Sequence, residues 1–460
     1  MSTPPAGAAI AETIAEWAAG LDARLLPDSV RRTAGRSLLD VAGLCVAARR
    51  TNYVAAVKAG WGGTGKATAI GHMDALDAAG ASVVNGTAAH GEDFDDTFEG
   101  TPVHTGAVAV PMAIAACESE DRSGADTLKG MAVAAEVMCR MALVAPTAQH
   151  RAGFHPTAVI GAMGAAAGAG AALGLDARQI TDALGIAGSL ASGIIEYLAE
   201  GAWTKRLHPG WAAQAGLRAA MLARAGFRGP RTVFEGEHGF FMAFGSEGIA
   251  PDFGALTDGL GRTWRMTGIA FKPYACGTMC QPFIDAALKL KGAGVAADDI
   301  VEVRCDVGEG TVHRLWEPRA EKTRPTTPYS AKFSVPFSVA IAFVDGAAGL
   351  GQYTEQRIAD ARLLKLAEKV HYRIDPANEY PRNYTGHLSV TLKDGSGREA
   401  TQPHLRGGAR EPLSDDELAA KFHANAAFGG WPETRAESLR RYCRDLFDQA
   451  DLKGFATFRG

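Results

Sequence analysis

Between Thr157 and Leu175 the chain carries no charged residue and is built mostly of Ala and Gly. The length suits a helix, and the composition decides where such a helix can sit. A bilayer span draws on Leu, Ile, Val and Phe, whereas Gly161, Gly164, Ala165, Gly168 and Ala172 let neighbouring backbones come close. The segment is therefore expected as a helix buried on all sides among other helices. A chain of 460 residues exceeds one core, so two domains, or three, are expected, and 47% hydrophobic against 21% charged residues is enough to fill them. Lys+Arg 47 against Asp+Glu 51, a net charge of -4, lacks the basic excess that phosphate binding needs, so no nucleic-acid partner is expected. Seven scattered cysteines point to reduced thiols. Glu12 and Glu16 stand where a signal peptide would be apolar. The expected setting is cytoplasmic, with no membrane partner.

The pattern is helical up to about residue 268. Val30, Ala34, Leu38, Val41, Leu44 and Cys45 recur at helical spacing after Asp28 or Ser29 as N-cap. Asp176 and Gln179 have capping-box spacing, and a further helix is expected after the Pro209-Gly210 break. Beyond residue 269 the period becomes two: Val301, Val303, Cys305 and Val307 alternate with Glu302, Arg304 and Asp306, and Asp394-Gly395 marks a hairpin. With helical stretches at 333–346 and 357–370, this segment reads as helices against an antiparallel sheet. Capping boxes at Ser414/Glu417 and Thr434/Glu437 then reopen helices. The expected fold is mainly α: a large discontinuous all-helical domain, 1–268 and 405–460, with a smaller inserted α+β lid domain, 269–404.

Four stretches concentrate ionisable groups. Around His90, Glu92, Asp93, Asp95, Asp96 and Thr97, with His104 shortly after, four carboxylates fall within five residues; they suit either an exposed acidic turn or a helix end facing a wet cleft. His155 precedes the Ala/Gly helix, where a helix N-terminus favours a neutral imidazole, although a lone histidine also serves structure. Lys205, Arg206 and His208 precede another expected helix and suit an anion, or are a solvated charge run. Lys272, Tyr274, Cys276 and Cys280 lie at the expected domain junction; two cysteines four apart without a second pair support zinc only weakly, and no metal is assigned.

Taken together and in order, these landmarks resemble the MmgE/PrpD family, which includes 2-methylcitrate dehydratase, cis-aconitate decarboxylase and iminodisuccinate epimerase. The resemblance covers nearly the whole chain and rests on NGTAAHGEDFDDTFEG with His104 after it, GFHPTAVIGAMGAAAGAGAALGL, TKRLHPGWAAQAG, KPYACGTMCQPFIDAAL and LSDDELAAKF. It implies the helical domain and lid above and a homodimer. Residue by residue it implies Asp93, His104, His155, Lys205 and Lys272 as catalytic, with Lys205, His208, Lys272, Thr97 and Tyr274 binding substrate; His90 and Lys332 are further candidates, Lys332 being equally suited to a solvated helix charge. Many relatives place a histidine a few residues after the lysine matched by Lys272, where this chain has Cys276, Gly277, Cys280 and Gln281.

The implied chemistry is a cofactor-independent carbon–oxygen lyase of the 2-methylcitrate dehydratase type acting on a small di- or tricarboxylate. His155 would be the base and His104 the acid, Asp93 would orient His104, and Lys205 and Lys272 would hold carboxylates. Epimerisation or isomerisation, and decarboxylation, are alternatives from the same groups. A non-catalytic carboxylate-binding protein is a further one, motivated by the missing histidine. A magnesium-dependent diphosphate enzyme would need a second acidic motif, which the sequence lacks.

Overall fold

The structure, a computed structural model, describes residues 7–99, 101–380 and 382–460. Residues 1–6, part of the segment read for an export signal, and Gly100, which ends the first motif, lie outside these. The protein is mainly α, 58% helical with small sheets. The chain divides into two units: one takes the described parts of Met1–Gly91 and Asp95–Ile269 with Leu418–Gly460, the other takes Glu92–Phe94 and the described part of Ala270–Glu417.

In the larger unit the principal helices are α1 (Ile10–Gly20), α2 (Asp28–Ala48), α3 (Asn52–Trp61), α4 (Ala78–His90), α5 (Gly106–Ser119), α6 (Gly124–Val144), α7 (Pro156–Leu173), α8 (Ala177–Leu190) and α9 (Thr204–Arg224). The Ala/Gly run is α7, every residue of which is buried. It packs against α6 and α9, and α9 also packs against α4. These crossings are close because side chains are missing from them. A Cβ on Gly86 of α4 would stand 2.5 Å from Gly210 Cα, one on Gly210 2.3 Å from Val83 O, and one on Gly216 2.4 Å from Ala165 Cβ. Backbone therefore rests on backbone where α4, α7 and α9 meet.

Local signals decide several ends. The Asp176/Gln179 capping box opens α8 as expected. Helix α2 begins slightly early: Asp28 is its first residue and its N-cap is Pro27, whose ring fixes φ at -56° and which makes no side-chain cap hydrogen bond. Pro209 does not break α9, which starts at Thr204; as the sixth residue it forgoes one i→i−4 hydrogen bond without ending the helix, and Lys205 and His208 thus belong to the first turns.

The smaller unit contains α10 (Gln281–Gly292), β1 (Ile300–Val307), α11 (Val335–Asp345), α12 (Ala361–Ala367), β2 (Val370–Ile374), β3 (Gly386–Leu392) and β4 (Gly397–Gln402). The sheet order is β2-β1-β3-β4, and α10 lies on β3 and β4 with α11 packed against α10. The antiparallel expectation is corrected: β1 and β2 are parallel, because the α12 crossover returns the chain in the same direction. The stretch expected as one helix over 357–370 ends at Ala367 and turns into β2 at Val370. The register of β1 also shifts between Ile300 and Glu302, turning Val301 out to solvent while Ile300, Val303, Cys305 and Val307 stay buried. The hairpin at Asp394-Gly395 joins β3 to β4 as expected. This unit runs on to Glu417 because 407–411 folds back on it, with the Phe271 N–H donating to Gly407 O at 3.0 Å and the Gly407 N–H to Glu411 O at 2.7 Å.

Two further helices close the chain, α13 (Asp415–Phe428), opened by the Ser414/Glu417 box, and α14 (Glu433–Asp445). The second box is corrected: α14 begins at Glu433 behind Pro432, so Thr434 lies inside the helix rather than capping it.

A Gly210→Ala variant is expected to lose about 1–3 kcal/mol of stability, since its methyl meets a backbone carbonyl that cannot rotate away. Urea unfolding of the full chain, compared with Ala→Gly at an exposed helix site, checks this.

Candidate functional site

The histidines flagged in the sequence converge in the larger unit. His90 ends α4, His155 is the N-cap of α7, and His208 lies in the first turns of α9; His104 precedes α5. The close crossings of α4, α7 and α9 bring the rings together. Ring centroids are 4.7 Å apart for His90/His104, 5.6 Å for His90/His155 and 5.3 Å for His155/His208. All four are buried, and the buried Tyr197 ring stands edge-on to His155 and His208.

Each ring is held through Nδ1. Asp95 Oδ2 lies 2.8 Å from His90 Nδ1 and 3.4 Å from His104 Nδ1, and His104 Nδ1 is also 2.7 Å from the Asp96 carbonyl oxygen. A carbonyl only accepts, so His104 carries its proton on Nδ1, and an ionised Asp95 requires the same of His90. In the neutral rings Nε2 is then the acceptor. His155 Nδ1 and His208 Nδ1 are 3.2 Å apart, so one donates to the other. The His155 N–H donates to Gly193 O at 2.9 Å; Gly193 holds a φ of +131°, and a Cβ there would strike Ala158. The Thr157 hydroxyl accepts from the His104 N–H at 3.0 Å, tying the His104 loop to α7.

The acidic run is corrected on both earlier readings. Asp95 and Asp96 are buried in the larger unit rather than solvated. Asp96 accepts from the N–H groups of Thr105 and Gly106, each at 3.0 Å, and so satisfies the start of α5. Burial pushes its carboxyl up to about 7 against the pull of the Gly106 N–H. Thr97, expected to bind substrate, is buried with its hydroxyl 3.4 Å from the Thr101 carbonyl oxygen. The expectation that Asp93 orients His104 is corrected to Asp95. The run gave no means of choosing among its four carboxylates, and only the turn after α4 decides which one faces back.

Burial drives the pKa of His155 well below its ordinary 6.5, with the nearby charges of His90, Lys205, His208 and His104 adding to the effect. Burial likewise takes His208 down to about 4, helped by His90 and Lys205. Lys205, half-buried in the first turn of α9, thus supplies positive potential at both rings. His155 and His208 remain neutral at neutral pH.

In the smaller unit the Lys272 ammonium is buried and donates to the Asp93 carboxylate at 3.0 Å and its carbonyl at 2.9 Å; Asp93 adopts a φ of +53°. Lys332 is corrected from a solvated charge: it is fully buried and pairs with Glu92, donating to its carbonyl at 2.7 Å and to its carboxylate. Where relatives place a histidine, Cys276 and Gly277 are buried against α11's approach, the Gly277 N–H donating to Lys332 O at 2.9 Å. Tyr274 donates to Asp285 at 2.6 Å beside Arg406. Burial pushes the Tyr274 phenol up and Asp285 up to about 6. All seven cysteines are free and buried. Sequence reasoning missed Asp95 and Tyr197, the first hidden among like carboxylates and the second without any motif.

Replacing Lys272 by Met is expected to cost about 3–5 kcal/mol by stripping a buried carboxylate of its cation, and Asp93→Asn in the same chain, which removes the charge with a residue that tolerates the positive φ, to recover part of it. Denaturant midpoints of the two variants check this.

The sequence profile of the MmgE/PrpD N-terminal domain matches residues 12–250, and that of the MmgE/PrpD C-terminal domain matches residues 274–443. The chain is similar to cis-aconitate decarboxylase of Homo sapiens, 31% identical over 389 residues that cover 82% of this chain and 78% of that protein. It is 28% identical to cis-aconitate decarboxylase of Mus musculus over 432 residues, 91% of this chain and 87% of that one. To cis-aconitate decarboxylase of Aspergillus terreus it is 26% identical over 444 residues, 91% and 89% respectively.

Proposed function

The chain belongs to the MmgE/PrpD family, and on that premise we propose that it is a carboxy-lyase acting on a small unsaturated tricarboxylate of the cis-aconitate type. Similarity to cis-aconitate decarboxylases supports decarboxylation ahead of the dehydration that the motifs alone suggested. The observation that carries the reading is the buried cluster of His90, His104, His155 and His208 with Asp95 behind it and Lys205 beside it.

In such a substrate the C–CO2 bond breaks, its electron pair forms a new C=C, and the old alkene pair takes up a proton at its far carbon. Carbon dioxide leaves and one proton is consumed. His104 is the proton donor in this reading. A proton taken on its Nε2 makes an imidazolium whose Nδ1 already faces the Asp96 carbonyl and lies 3.4 Å from the Asp95 carboxylate. Lys205 holds a substrate carboxylate, and His155 and His208 present neutral rings that leave this anion site uncontested by a second acid. Dehydration is the second reading: a neutral His155 is suited to abstract a proton.

Incubation with cis-aconitate and with 2-methylcitrate in deuterated water separates the two. Decarboxylation is expected to release carbon dioxide from cis-aconitate with one deuterium in the product, whereas conversion of 2-methylcitrate without gas would sink the proposal in favour of dehydration. His104→Asn is expected to lower kcat by about 10²–10⁴-fold, and Lys205→Ala to raise KM by roughly ten- to a hundredfold, the worth of a charge-assisted contact. The pH profile follows from the lowered histidines. Because the neutral forms of His155 and His208 persist below pH 6.5, acidification from neutrality is expected to bring no loss of kcat/KM centred there, the fall from His208 coming only near pH 4. An acid limb at 6.5 that disappears in His155→Gln would contradict this.

A further inference from the structure

Three of the four imidazoles in the larger unit share a feature that proton transfer does not require. One ring nitrogen from each of His90, His104 and His155 lies within 4.8 Å of the other two. In every case Nδ1 faces a partner, Asp95, the Asp96 carbonyl or His208, and Nε2 is the other ring nitrogen. His90 Nε2 is buried with no hydrogen-bond partner among the described residues. A buried ring nitrogen left bare costs free energy unless something fills its lone pair.

We propose that Nε2 of His90, His104 and His155 form a binding site for one divalent transition-metal ion of the imidazole-preferring class, zinc(II) or cobalt(II). Metal-bound histidines characteristically give their other ring nitrogen to a carboxylate or backbone carbonyl, the arrangement seen at His90 and His104. Three nitrogen ligands leave a fourth tetrahedral position open to water or a carboxylate oxygen. With metal–nitrogen bonds of about 2.0–2.1 Å, the rings must draw together from their present spacing. Thiolates are not competing ligands here, since every cysteine is buried outside this set. An ion at this position occupies the Nε2 lone pair of His104, so zinc reversibly inhibits turnover; that consequence rests on the function proposed above, whereas binding does not.

The test is titration of the chelator-treated full chain with cobalt(II), without substrate, near neutral pH. Saturation at one ion per chain is expected, with the visible d–d bands of a tetrahedral nitrogen and oxygen site and no thiolate charge-transfer band, and zinc(II) should displace the cobalt. Asp95→Asn is expected to weaken binding about ten- to a hundredfold, as loss of an outer-shell partner does, and His104→Gln by more than tenfold. If a variant fails to fold by circular dichroism, paramagnetic shifts of the imidazole protons in the unaltered chain give the same information. Absence of saturable binding, a thiolate band, unshifted imidazole protons, or bands unchanged in folded His104→Gln would each overturn the site. Binding without inhibition would count against His104 as the proton donor and leave the metal site standing.

Discussion

Everything at the candidate site depends on three helices touching backbone to backbone. Gly86 on α4 and Gly210 on α9 leave no room for a Cβ between them, and Gly216 rests on Ala165 of α7 in the same way. Larger side chains at these crossings would hold helix axes at the usual 8–10 Å and draw His90, His155 and His208 apart. The residues that look least informative, alanine and glycine, therefore set the distances between those that do chemistry. This also explains why α7 is apolar on every side: all its faces are contact faces.

The second constraint is electrostatic. Burying histidines and carboxylates together is costly unless each polar atom finds a partner. Asp95 meets two imidazoles, Asp96 meets the start of α5, and in the smaller unit Asp93 and Glu92 meet lysines. A run of four carboxylates is tolerated because each is turned toward a different partner. The consequence for function is that ring orientation and tautomer are imposed before any ligand arrives, which lowers the reorganisation needed during reaction.

A good part of this was legible in the chain itself, and the reasons are local. The capping boxes at Asp176 and Ser414 satisfy orphan N–H groups with neighbours three residues away, so they act wherever they occur. The Asp394-Gly395 hairpin and the alternation along β1 are equally local, and the order of motifs was enough to suggest the family. Where prediction failed, the deciding partner was distant or a proline was present: Pro27 and Pro432 displaced caps expected at Asp28 and Thr434, and β2 pairs in parallel because a crossover, invisible to periodicity, carries it back beside β1.

The amino-acid sequence by itself determined the mainly helical class, the burial of α7 through its small residues and which histidines and lysines were candidates for the site. Those properties follow from side-chain size, periodicity and polarity, each read within a few residues. Only the tertiary structure decided that Asp95 rather than Asp93 faces His104, that Lys332 is buried against Glu92, and that burial holds His155 and His208 neutral. Those outcomes depend on dehydration and on partners far along the chain, quantities that exist only once the helices have closed around them.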